Sequence, residues 1–316
     1  MHNRGCQGYG LIAVQRPANR YNERNGDSLG NVGMNLFRGL LVLVLLPLLA
    51  HAEAPRGRDC ISLDGRLVPG GLVYARVAPG TAVTLDGQAL DVMDDGLVLF
   101  GLGRDAKPSF ELSLAGPVSC SRRVNIAPRE YNIQRVEGVP QRTVTPDPAD
   151  LERIAREREL VRKAKARNIQ RPDLLAAAVS GFEWPAIGPV SGVYGSQRVY
   201  NGKPGNPHYG VDVAVPTGSI VRAPAPGIVT LAEPDLFYSG GTIILDHGYR
   251  LSSSFLHLSK VRVEVGQEVA TGDIIGEVGA TGRATGPHLD WRMSWRRERV
   301  DPQLLVPPMP EPLPSP

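Results

Sequence analysis

The chain has little to hold it in a membrane and little to draw it to nucleic acid. Its apolar run from Leu40 to Leu49 is shorter than the roughly 20 residues a membrane-spanning helix needs, and Pro47 breaks it near the end. What surrounds that run is a leader: "MNLFRGLLVLVLLPLLAHA", residues 34 to 52, has a basic start at Arg38, an apolar centre and an Ala50-His51-Ala52 exit. Residues 1 to 33 show neither an apolar centre nor periodicity and read as an upstream over-extension, with translation starting at Met34. Without residues 1 to 52 the chain loses five of its 35 Lys+Arg and two of its 32 Asp+Glu, leaving 30 of each. A neutral chain has no excess of cations to displace phosphate counterions, so nucleic acid is excluded as the expected partner. No cysteine directly follows the leader's exit, which argues against a lipid anchor, and no further segment is expected to span a membrane. The product is expected to be periplasmic or secreted.

Two familiar catalytic motifs are also missing. HExxH is absent, and the serine run Ser252, Ser253, Ser254 has no G-x-S-x-G setting, so a serine nucleophile is not expected. Only three cysteines occur, and Cys6 lies in the upstream part. The remaining pair, Cys60 and Cys120, suggests a disulfide in an oxidising compartment, stabilising by roughly 4 kcal/mol if unstrained.

What is present is mostly β. From 53 to 128, short β-prone runs such as "GLVYARV" and "TAVTLDG" alternate with turn dipeptides, Asp64-Gly65, Pro79-Gly80, Asp86-Gly87 and Asp95-Gly96, predicting a small sandwich-like domain. Its "GLGRDA" formally matches a dinucleotide-binding glycine pattern, but Lys107-Pro108 follows where a helix must open. Residues 129 to 172 form a linker whose "TPDPADLERIARERELVRKAKARN" predicts a charged helix, capped by Asp147 with Pro148 in its first turn. Its apolar stripe is thin, through Leu151, Ile154, Arg158 and Val161, so a spacer is expected, with partner docking the alternative. From 173 to 305 the texture returns to glycine-punctuated strands, and 306 to 316, ending "VPPMPEPLPSP", should be a disordered tail.

Chemistry concentrates in the last β region. In "NPHYGVDVAVP" strand alternation puts His208 and Asp212 on one face, and in "TGPHLDWRM" it puts His288, Asp290 and Arg292 on one face with Leu289, Trp291 and Met293 on the other. A third histidine, His257, lies in "FLHLS". Each His/Asp pair could be a hydrogen-bonded couple on a wet sheet, a catalytic pair or a pair of metal ligands. Together they supply enough donors for a three-ligand metal site with histidines to spare for proton transfer. His247 in "DHG" is expected to shape a turn, and "EPDLFYSGG", residues 233 to 241, to be a cleft-side loop or a plain connection.

In order along the chain, "FEWPAIGPVSGVYGSQRVYNG", "HYGVDVAVPTGSIVRAPAPGIV", "LDHG", "FLHLS" and "VEVGQEVATGDIIGEVGATGRATGPHLDW" resemble the LytM/lysostaphin-type M23 zinc endopeptidases, over about residues 180 to 303. The resemblance implies a mainly β fold with a C-terminal antiparallel-sheet peptidase domain of duplicated hybrid type. It implies one Zn²⁺, peptidoglycan peptide stems as substrate, and possible cell-wall or division partners through the charged helix. Residue by residue, His208 and Asp212 take the H-x-x-x-D ligand positions, and His257 and His288 the two non-ligand catalytic positions. Asp290 stands where the family usually has the second histidine of H-x-H. A carboxylate can serve there at an oxygen distance of about 2.0 to 2.2 Å. Two aspartates and a histidine formally neutralise the ion, however, so weaker acidification of water and a shift toward harder ions such as Mn²⁺ are expected.

Two other functions compete. Some family members have lost ligands and activate other wall hydrolases, but they tend to lose several site positions, whereas here one differs and can still ligate. "VGQEVATGDIIGEVG" resembles biotinyl and lipoyl carriers, yet no lysine lies between Val261 and Gly286 to carry the cofactor.

Overall fold

Alternation and turn chemistry carry over into the computed structural model, which describes residues 61–117, 119–136, 147–200 and 202–310. The leader, the upstream segment and Cys60, and with it the expected Cys60–Cys120 pairing, lie outside these residues. The first strands are β1 (Asp64–Gly65), β2 (Leu72–Arg76), β3 (Ala82–Leu85), β4 (Gln88–Leu90), β5 (Leu97–Gly101), β6 (Ser109–Ala115) and β7 (Cys120–Asn125). They build two antiparallel sheets, β1-β2-β5 and β4-β3-β6-β7. Phe100 meets Phe110 edge to face at 5.2 Å, within a core that includes Leu72, Leu99 and Leu112. Asp86 and Gly87 form the two-residue β3–β4 turn with φ of 47° and 78°, the primed geometry that matches strand twist. Asp64-Gly65, expected as a turn, is instead a short strand beside Tyr74 and Val73. A Cβ on Gly65 would fall 2.1 Å from the Leu72 carbonyl oxygen, so glycine is needed for the approach of the two backbones.

The linker is not a free spacer. Its first part forms β8 (Ile133–Val136), which lies parallel to β10 (Gln197–Tyr200), itself paired with β11 (Lys203–Pro204). Arg129 bridges the two β regions by donating to Asp301 at 2.5 Å and to the Pro69 carbonyl at 3.1 Å. Helix α1 (Leu151–Ala166) follows a short turn in which Asp147 accepts from the Ala149 N–H at 2.9 Å. Its thin stripe is put to use: Val161 and Ala164 pack on Leu231, Leu236 and Ile244 of the last sheet. Arg153 donates to Asp235 and Glu157 accepts from the Phe237 N–H, so polar contacts complete the docking. Helix α2 (Pro172–Ser180) went unread in the sequence; it begins at a proline and buries Leu174, Leu175 and Ala178. No described helix is long and apolar enough to cross a membrane.

The remaining strands are β9 (Val190–Gly192), β12 (Val211–Val213), β13 (Ile220–Arg222), β14 (Gly227–Leu236), β15 (Gly240–Asp246), β16 (Leu251–Val261), β17 (Glu268–Val269), β18 (Ile274–Val278), β19 (Leu289–Trp295) and β20 (Glu298–Val300). The main path of their antiparallel sheet runs β17-β14-β15-β16-β19-β12-β9. Leu289, Trp291 and Met293 of β19 are fully buried on the core side, in one apolar cluster with the first β region. That leaves Asp290, Arg292 and Ser294 on the opposite face, where Lys165 of α1 reaches Ser294. Residues 233 to 241, expected as a loop or connection, are the end of the β14–β15 hairpin, held by α1. At the other end, Val306 and Met309 pack against the core, and Trp184 Nε1 donates to the Pro307 carbonyl at 2.8 Å.

His247 is a packing residue, away from the polar face. Its Nδ1 lies 2.7 Å from the Pro226 carbonyl, its Nε2 2.8 Å from Ser253 Oγ, and burial pushes it down to about 4. Beside it, burial pushes Asp246 up to about 7, although its Oδ1 accepts from the Gly248 N–H. An acid whose folded value is raised destabilises the fold progressively as pH rises from its unfolded value near 4 to about 7. Asp246→Asn keeps an acceptor oxygen and cannot ionise. Its stability relative to wild type is therefore expected to be roughly 3 kcal/mol greater at pH 8 than at pH 4. Denaturant unfolding at both pH values checks this, and a difference independent of pH would refute it.

Candidate metal centre

Strand pairing brings the site together. β12 lies antiparallel to β19 with Asp212 opposite Asp290, so both carboxylates project from the same sheet face. His208 is not on the strand, as the alternation had suggested, but in the loop before it. Its backbone is fixed at both ends, its N–H donating to the Ser196 carbonyl at 2.8 Å and its carbonyl accepting from Gly195 at 2.7 Å. This turns the ring back over the strand and sets His208 Nε2 3.2 Å from Asp212 Oδ1.

Both atoms are buried, and among the described residues neither has a hydrogen-bond partner. Buried polar atoms are rarely left so, because each unmade bond costs about 1–3 kcal/mol. Ligand atoms of His208, Asp212 and Asp290 lie within 4.8 Å of one another. Donors about 2.0–2.2 Å from a tetrahedral ion stand roughly 3.3 Å apart, so the His208–Asp212 spacing fits a shared cation and Asp290 is within reach. The pocket is cut to size by glycine. A Cβ on Gly192 would fall 2.1 Å from Asp212 Oδ2, and one on Gly210 would fall 2.7 Å from Asp290 Oδ1.

Asp290 has a partner that the sequence placed nearby without assigning it. Arg292 Nε donates to both carboxylate oxygens, at 2.9 and 3.0 Å, and its Nη2 to Oδ2 at 2.5 Å. Burial alone would push the Asp290 carboxyl up, but the charge and hydrogen bonds of the guanidinium outweigh it and hold the group below its usual value. Asp290 is thus an ionised, oriented carboxylate.

His257 and His288 stand side by side, their ring centroids 4.9 Å apart. Each Nδ1 is 2.8 Å from a carbonyl that can only accept, of Thr281 for His257 and of Gly286 for His288. In the neutral form of either ring the Nδ1 therefore carries the hydrogen, and Nε2 is left with its lone pair. His288 Nε2 is 3.9 Å from Asp212 Oδ1, placing the pair at the edge of the same centre. Burial lowers the His257 pKa despite its bond to Thr281, which favours the neutral ring. The backbone marks this position too. His257 has φ of +64°, where β16 leaves β19 and takes β18 as its neighbour. Thr281 steadies the junction, its Oγ1 donating to the Leu258 carbonyl and accepting from the Gly241 N–H. Its part could not be read beforehand, since nothing in "ATGRATG" distinguishes this threonine from a loop residue.

The arrangement could hold a divalent cation on a β-sheet face. The model of peptidase family M23 matches residues 206–302. A solved M23-type structure from Pseudomonas aeruginosa is 31% identical and covers 76% of this chain and 95% of its own, with a TM-score of 0.57. The chain belongs to peptidase family M23, of the LytM/lysostaphin type. Among curated proteins it is 37% identical over 109 residues to the peptidoglycan DD-endopeptidase ShyA of Vibrio cholerae, covering 34% of this chain and 25% of that one. It is 36% identical over 104 residues to the DD-carboxypeptidase/endopeptidase Mpg of Neisseria meningitidis, covering 33% and 24%. The matches thus span about a quarter of the length of these relatives.

Proposed function

We propose that this protein is an exported, metal-dependent endopeptidase that hydrolyses peptide cross-links of bacterial peptidoglycan. The observation that carries the reading is the pair of buried, unpartnered atoms, His208 Nε2 and Asp212 Oδ1, beside a fixed carboxylate and two histidines with free Nε2. The names of the relatives supply the substrate class.

His208, Asp212 and Asp290 would hold one divalent ion, zinc by family. Such an ion polarises a carbonyl and makes water a nucleophile at neutral pH. His257, kept neutral by burial, takes the proton of the attacking water at Nε2, and its Nδ1–H bond to Thr281 holds the ring for the task. His288 presents its Nε2 lone pair to the same space and accepts a hydrogen bond there, and the proton taken up by His257 at Nε2 is passed on to the departing amine. Arg292 changes the charge balance expected from Asp290. Its fixed positive charge offsets the extra carboxylate, so the centre keeps the net positive charge that two histidines and one aspartate would give it.

A non-catalytic regulator is the competing function. The feature that would favour it is a partner docked on α1, whose Val161 and Ala164 are instead packed on its own sheet. The deciding experiment takes residues 53 to 316, measures bound metal, and analyses by mass spectrometry the fragments released from purified peptidoglycan. One ion per chain with release of cleaved peptide stems is expected. Metal-free protein releasing nothing would favour the regulator.

A further inference from the structure

Next to the metal centre the sheet face carries more positive charge than it can pair. β20 lies beside β19 with Arg299 opposite Ser294, and β16 places Ser254 opposite Arg292 and Ser252 opposite Ser294. Paired residues share a face, and neighbours two apart on a strand lie about 7 Å apart, so Asp290, Arg292 and Arg299 form a short arc. Lys165 enters from α1, its Nζ donating to Ser294 Oγ at 3.3 Å, and Ser294 Oγ is 3.1 Å from Ser252 Oγ.

Three half-buried cations therefore meet one carboxylate, and that carboxylate is already held by Arg292. Among the described residues the Arg299 guanidinium has no acidic partner and no hydrogen bond, and Ser254 Oγ is buried without one. Burial, with help from Arg292, lowers Arg299, and burial with both guanidinia lowers Lys165 well below its usual value. Cations are seldom sequestered this way unless an anion joins them. Of the three, Arg299 also borders a cavity of about 610 Å³, shared with Tyr209, the neighbour of His208, and with the "GLGRDA" turn, where Arg104 and Lys107 are accompanied by Asp86, Asp105 and Glu298.

We infer that Lys165, Arg292 and Arg299 form a subsite for a free carboxylate of the substrate, so that the linker helix contributes directly to substrate recognition. The inference rests on the peptidase reading and narrows it. The preferred substrate is a cross-linked peptide carrying a carboxylate close to the bond that is cut. A guanidinium and an ammonium converging on one carboxylate make charge-assisted bonds, whereas an amide in its place leaves them unpaired.

The test uses three purified peptidoglycan peptide dimers: unmodified, amidated at the chain-terminal carboxylate, and amidated at the side-chain carboxylate. Calorimetric binding to residues 53–316, with and without zinc, is measured alongside cleavage. One amidation should weaken binding by about 10–100-fold, and which one does so identifies the carboxylate. In Arg299→Gln and Lys165→Gln that discrimination should collapse toward one, and Arg299→Lys should restore part of it. Thermal stability of Arg299→Gln should equal or exceed that of wild type, since an unpaired buried charge is removed. Discrimination that survives in both glutamine variants, or binding indifferent to amidation, overturns the subsite. Carboxylate-dependent binding without cleavage would leave the subsite standing and remove the peptidase reading. Cleavage without discrimination would do the reverse.

Discussion

Arg292→Gln is expected to weaken zinc binding by about 10–100-fold, the range for losing a group that orients a ligand, yet to change it little when Asp290 is already histidine. The reason is electrostatic. In the wild type the guanidinium fixes the carboxylate through Nε and Nη2 and offsets its charge. With an imidazole at 290 there is no carboxylate to hold. Asp290→His and Asp290→His with Arg292→Gln should therefore bind metal about equally well. The coupling between the two positions should be roughly 1.4–2.7 kcal/mol, the same fold-range expressed as free energy. Competitive chelator titration of the four proteins measures it. Tighter zinc binding by Arg292→Gln in the wild-type background would show that Arg292 competes with the ion for Asp290.

The largest effect is expected at His208. Replacement by alanine removes one of three donors and should take metal content from about one ion per chain to below about a tenth after dialysis, with release of peptide fragments falling to background. Folding should survive, since among the described residues its Nε2 makes no hydrogen bond that the fold depends on. Asp212→Asn should behave similarly in metal content. If either protein keeps full metal and full cleavage, the ion is held elsewhere. Circular dichroism of the metal-free wild type provides the reference that separates loss of the ion from loss of the fold.

Much of this centre was legible because strand alternation has a period of two. That period put Asp290 and Arg292 on one face and Trp291 on the other, and the sheet keeps them there. His208 was found through its motif and not through geometry. Alternation placed it on a strand, whereas a loop anchored to Ser196 and Gly195 delivers the ring to Asp212. The charged helix was misread for a related reason. A stripe of Val161 and Ala164 is too narrow to announce docking, and Arg153 and Glu157 look like solvated charges until Asp235 and the Phe237 N–H are seen opposite them.

The sequence by itself determined the β-rich architecture and the face each strand residue takes, because these follow from local periodicity, and its motifs pointed to the residues proposed as donors. Only the tertiary structure decided that Arg292 holds Asp290, that Thr281 and Gly286 fix the two imidazoles, and that Lys165 and Arg299 arrive beside them. Each of those outcomes depends on which strands pair, in which register, and where a helix lies across them. Pairing of this kind is set by burial summed over the whole molecule, and short stretches of sequence do not encode it.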